Sequence, residues 1–91
     1  MRKRPIFVVD NEPTIVHTVT AILDSVGFSA QGFTNPLAAL RASDSASPDL
    51  LLSDVVMPEL TGFDLAIKFR QSCLQRKVLL FSGRPETSVL L

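Results

Sequence analysis

Ile6-Phe7-Val8-Val9 is an unbroken apolar run, the mark of a strand buried on both faces. Asp10-Asn11-Glu12-Pro13 stops it, and Pro13 suits the first turn of a helix. From Thr14 to Val26 the apolar residues Val16, Val19, Ile22, Leu23 and Val26 recur at helical spacing, and Gly27 supplies a C-terminal stop. Phe28 to Phe33 predicts a second, weaker strand interrupted by Gly32. Asn35-Pro36 offers an N-cap and a first-turn proline for a short helix carrying Leu37 and Leu40. Ser43 to Pro48 reads as a loop. Leu50-Leu51-Leu52-Ser53 predicts a third buried strand, ending at Asp54. A loop from Val55 to Gly62 contains Met57-Pro58 and leads into a helix from Phe63 to about Ser72. Val78-Leu79-Leu80-Phe81 predicts a fourth strand, ending at Ser82-Gly83, and a further helix is expected to begin near Glu86.

Strands alternating with helices imply parallel βαβ units with right-handed crossovers. In such a sheet the C-terminal ends of the strands share one edge, where ligands bind. Asp10, Asp54 and Ser82 follow the first, third and fourth strands. With the strand order 2-1-3-4, those strands are neighbours about 4.8 Å apart, so two carboxylates and a hydroxyl converge on one crevice.

Composition narrows what that crevice serves. The 91 residues fit one domain or part of one, and a chain this short buries only roughly 60–65% of its unfolded surface. Nine Lys+Arg balance nine Asp+Glu, which excludes a strongly basic nucleic-acid binder and any long-range pull toward an anionic membrane. The single cysteine, Cys73, leaves no intramolecular disulfide and no thiol cluster for zinc. The apolar runs are too short for a membrane span or a signal peptide, so a cytoplasmic location is expected.

Adjacent carboxylates repel, and a shared proton or a cation relieves them. Hard oxygen donors without histidine or thiolate favour Mg²⁺, which takes one or two carboxylates and leaves room for water and phosphate. A carboxylate in that setting can attack phosphorus to give an acyl phosphate, with a hydroxyl such as Ser82 donating to a phosphoryl oxygen. The chemistry alone leaves open which acid is attacked.

At these residues the chain resembles the receiver domains of two-component response regulators. The matching pieces are Val8-Val9-Asp10-Asn11-Glu12-Pro13, Leu51-Leu52-Ser53-Asp54-Val55-Val56-Met57-Pro58 with Thr61-Gly62, and Leu80-Phe81-Ser82-Gly83. The resemblance implies an α/β, flavodoxin-like (CheY-like), doubly wound parallel sheet. It implies that Asp54 accepts a phosphoryl group from a sensor histidine kinase or phosphotransfer protein. Asp10, Asn11, Asp54 and the carbonyl of Val56 would hold Mg²⁺, Ser82 would contact the phosphoryl group as a switch, and Gly83 would leave room for it. Such a domain is a switch, not a turnover enzyme, and an output domain would lie elsewhere in a parent chain.

Two departures qualify the match. The family usually carries a second acid where this chain has Asn11, so Mg²⁺ binding should weaken, though Glu12 is close enough in sequence to contribute. The chain also stops before the family's fifth strand and helix, and the lysine that pairs with the phosphoryl group goes with them. Residues 1–91 are therefore expected to be a receiver domain incomplete at its C-terminus, its fourth strand an open edge through which two copies could pair. The rival reading is a degenerate receiver-like module that acts by protein–protein interaction without phosphorylation.

Plainer roles stand beside these. Asp10 and Glu12 could serve only the N-terminus of the first helix, Asn11 could be its N-cap, and Ser82 could be a turn residue. His17 is expected on the solvent side of that helix, Cys73 at the end of the third, and Arg2-Lys3-Arg4 in a solvated tail. A dehalogenase-type hydrolase would need a second acid two residues after Asp54, where Val56 stands. A flavin or nucleotide site would need a glycine- or hydroxyl-rich phosphate loop after the first strand, where this chain is acidic.

Overall fold

The computed structural model describes residues 4–82 and the backbone of residues 89–90. Strand β1 (Ile6–Val9) leads into helix α1 (Pro13–Ser25), then β2 (Ala30–Phe33), α2 (Pro36–Ala46), β3 (Leu50–Asp54), α3 (Gly62–Gln71), β4 (Lys77–Phe81) and a short β5 (Val89–Leu90). The sheet order is β2-β1-β3-β4-β5. The β1–β2, β1–β3 and β3–β4 pairs are parallel, as alternation with helices requires, and β5 lies antiparallel to β4.

The pairing register divides the sheet into two faces. Phe7, Leu51 and Val78 share one row, as do Val9, Ser53 and Leu80, and all point to the side covered by α2 and α3. There they meet Ala39, Leu65, Ala66 and Phe69 in a fully buried core. Val8, Leu52 and Leu79 point to the other side, where α1 lies.

Local chemistry moves several boundaries. Gly27, at φ 98°, donates to Asp24 O at 3.1 Å, and Phe28 donates to Leu23 O at 3.0 Å. That Schellman-type ending uses Phe28 as part of the helix stop, so β2 starts later than the apolar run suggests. Helix α2 runs on to Ala46 through the stretch read as a loop. Ser43 Oγ donates to Leu40 O at 2.7 Å and Ser45 Oγ to Ala42 O at 3.4 Å, which satisfies hydroxyls that would otherwise favour a turn. Ser47, at φ 51°, then ends the helix in the left-handed region.

The C-terminal expectation needs correction. The helix predicted to start near Glu86 begins outside the described residues, but Val89 and Leu90 form a strand against Leu80 and Leu79. An edge strand presents unpaired N–H and C=O groups, and a β-branched, apolar segment satisfies them better than the first turn of an uncapped helix. The outer edge of β4 is thus partly occupied and is not the open dimerisation edge expected. Arg4 is exposed, as expected of a solvated tail, and its guanidinium meets the equally exposed Asp49 at 2.9 Å, while Arg2 and Lys3 fall outside the described residues.

Candidate functional site

Each apolar strand ends at the same sheet edge, and its next residue is delivered there. Val9 pairs with Ser53 and Ser53 with Leu80, so Asp10 and Asp54 leave adjacent strands side by side. Asp54 faces Phe81 across the β3–β4 pair. Ser82 is one position farther along and half-buried, so two of the three expected groups are in one row and the hydroxyl is just beyond it. Gly83 lies outside the described residues.

Asp10 is only 4% exposed, which is unusual for a carboxylate, and it has no basic partner among the described residues. Its Oδ1 accepts the backbone N–H of Glu12 at 2.8 Å. Burial pushes its pKa above the ordinary 3.8; the Glu12 hydrogen bond pulls it down, and the negative charges of Asp54 and Glu12 push it up again. The strand register sets the two carboxylates at adjoining strand ends, and among the described residues they bring negative charge to a partly desolvated crevice.

Asp54 is half-buried, and its Oδ1 accepts the N–H of Val56 at 3.3 Å, an Asx-type turn that bends the chain away from the sheet. Val55 N–H donates to Phe81 O at 2.8 Å, and Gly62 N–H donates to Val55 O at 2.8 Å. The loop is thereby tied to β4 on one side and to α3 on the other. Thr61 caps α3 by accepting the Asp64 N–H at 3.1 Å. These backbone ties could not be read from the apolar pattern; only the Thr61-Gly62 pair hinted at them.

Asn11 is not the N-cap of α1. That position belongs to Glu12, whose side chain makes no capping bond, and the Glu12 N–H is taken by Asp10 instead. Both Asn11 and Glu12 are exposed, as are His17 and Cys73. The Val56 side chain is 73% exposed, which leaves its backbone as the only part suited to a role in the site. Among the described residues no group of three or more His, Cys, Asp or Glu could hold a metal. The donors at the adjoining strand ends are two carboxylates, Asp10 and Asp54. Hard oxygen donors of that kind fit Mg²⁺, which keeps waters and needs few protein ligands, better than a caged ion.

The profile of the response regulator receiver domain matches residues 6–90. The chain belongs to that family. Among curated relatives, the phosphoglycerate transport system transcriptional regulatory protein PgtA of Salmonella typhimurium is 32% identical over 86% of this chain. The match covers 19% of PgtA and 35% of the alkaline phosphatase synthesis transcriptional regulatory protein PhoP of Bacillus subtilis, so the chain spans well under half the length of these curated relatives. Among solved structures, the response regulator TrrA of Thermotoga maritima, in complex with Mg²⁺-BeF, superposes with a TM-score of 0.82 at 28% identity over 91% of this chain and 72% of that one. A structure of the histidine kinase ThkA in complex with TrrA aligns with a TM-score of 0.80 at 29% identity, over 88% of this chain and 69% of that one. Receiver domains are signalling modules, and this receiver has the 2-1-3-4 order of parallel strands. Among its described residues no helix is long and apolar enough to cross a membrane.

Proposed function

We propose that this receiver is a phosphoacceptor of two-component signalling, with Asp54 as the residue phosphorylated. The observation that carries the reading is the placing of Asp54 beside buried Asp10 at adjoining strand ends, two carboxylates without a cationic partner among the described residues. A carboxylate oxygen of Asp54 attacks phosphorus, the bond from phosphorus to the donor breaks, and an acyl phosphate remains on the side chain. With a kinase as donor the leaving group is a histidine imidazole; with acetyl phosphate it is acetate. Asp10, Asn11, Asp54 and the Val56 carbonyl would hold Mg²⁺, which supplies charge neutralisation for the incoming phosphoryl group. Ser82 would donate its hydroxyl to a phosphoryl oxygen. The Mg²⁺-BeF complex of TrrA and its complex with a histidine kinase support the metal and the class of partner. A cytoplasmic setting and an output region elsewhere in a longer regulator complete the proposal.

Asn11 favours a second reading, a receiver that binds partners without taking phosphate, because its amide brings no charge to the metal. Intact mass after incubation with Mg²⁺ and acetyl phosphate separates the two. The expected result is a gain of one phosphoryl group that Asp54→Asn abolishes while keeping its helical circular dichroism. Absence of any gain in the folded parent chain rejects the acceptor role, and retained phosphate in Asp54→Asn rejects the assigned residue.

A further inference from the structure

We infer that Gly62 is a positioning residue for the acceptor, acting by bringing no side chain to the place where α3 meets the backbone of Asp54; this rests on the phosphoacceptor reading. Gly62 is the first residue of α3 and is buried. Its need for glycine is not one of backbone angle, because Gly27 is the described glycine with positive φ. Nor is it helix propensity, since alanine suits a helix better than glycine. Space decides. A Cβ on Gly62 would collide with the carbonyl oxygen of Asp54, and would lie 2.9 Å from Val55 Cα and 3.0 Å from the Asp54 carbonyl carbon.

Those neighbours are all backbone atoms, so none can rotate aside. Val55 is held on both sides, its C=O by the Gly62 N–H and its own N–H by Phe81 O, each at 2.8 Å. An added methyl group must therefore push α3 outward or displace the chain that carries the Asp54 carboxylate and the Val56 carbonyl. Either movement misplaces the attacking oxygen without deleting any group of the site. Gly32 offers a matched comparison. A Cβ there would intrude on the Val16 side chain and lie 3.2 Å from Thr20 Cγ2, between β2 and α1 and away from the acceptor.

The test compares the parent chain with Gly62→Ala and Gly32→Ala in three measurements. These are thermal unfolding, the rate of phosphoryl uptake from acetyl phosphate with Mg²⁺, and hydrogen exchange at the Val55 amide. Both variants should melt earlier, but only Gly62→Ala should take phosphate more slowly per folded molecule, on the order of 10²-fold. Only Gly62→Ala should speed exchange at Val55. Parental uptake by Gly62→Ala, or an equal slowing in both variants, overturns the inference. If the parent itself takes no phosphate, the acceptor reading fails, and Val55 exchange still decides: unchanged protection in Gly62→Ala overturns the positioning role. If Gly62→Ala yields no folded chain, the parent carries the test. Slow exchange at both Val55 and Gly62 supports the clamp, and exchange as fast as the rest of that loop overturns it.

Discussion

Asp10 carries an electrostatic cost, being buried at a strand end adjoining another acid's, with the Glu12 N–H as its compensation among the described residues. Burial is the main cause of its raised pKa, so the folded chain holds a proton on Asp10 at pH values where the unfolded chain has released it. The folded state then binds more protons than the unfolded one, and stability falls as pH rises upward from the ordinary value of 3.8. In metal-free buffer, Asp10→Asn should raise the melting temperature at neutral pH by a few degrees. The gain should fade below about pH 4, where the carboxyl is protonated in both states. A melting temperature unchanged at neutral pH would show that the burial costs nothing. Asp10 and Asp54 were readable in the chain because an acid directly after an apolar run marks a strand end. The N-cap was not readable, because whether Asn11 or Glu12 fills it depends on where the Asp10 side chain turns after leaving β1.

At the scale of elements, Arg76 does what no apolar pattern announces. It is 9% exposed, and its Nη1 donates to Phe69 O and its Nη2 to Ser43 O, each at 3.1 Å. The guanidinium also sits 4.8 Å from the centre of the Phe69 ring. Its two acceptors lie in the C-terminal portions of α2 and α3, so one cation serves both helices where their dipoles are negative. Arg76→Ala should therefore cost about 2–4 kcal/mol, through the lost charged hydrogen bonds to Phe69 O and to Ser43 O, which keeps its bond from the Ser47 N–H, as well as lost packing. Arg76→Lys should recover only part, because an ammonium cannot reproduce the planar fork. Urea unfolding measures both, and a loss below about 1 kcal/mol for the alanine variant would make the clamp ornamental. The strands and the three helices were visible as periods and runs. The end of α2 was not, since Ser43 and Ser45 look like loop residues until their hydroxyls are seen to bond back to the helix. The terminal Val89-Leu90 was misassigned for a related reason: an edge that needs a partner outweighs local helical spacing.

Among the described residues the two sheet faces are unequally covered. The face under α2 and α3 is closed, with Phe7, Leu51, Val78 and Leu80 fully buried. On the other face Leu52 and Leu79 are half-buried, and α1 buries Val16 while leaving Ile22 57% and Val26 65% exposed. The span of α1 was legible along the chain, but its expected apolar stripe is only partly a buried face: Val16 is buried, Val19 and Leu23 are half-buried, and Ile22 and the capping residue Val26 face solvent. Adjacent leucines on β4 turn this asymmetry into a measurement, since they share a strand and differ in the face they occupy. Leu80→Ala opens a cavity in packed surroundings and should cost about 3–4 kcal/mol, whereas Leu79→Ala removes atoms already part-solvated and should cost about half that. A domain of this size has on the order of 5–10 kcal/mol to lose, so Leu80→Ala should leave a marginal fold and Leu79→Ala a sound one. Urea midpoints at constant slope report the difference. Equal losses would mean that the α1 face is covered as completely as its opposite, and would remove the asymmetry from the account of how this receiver is held together.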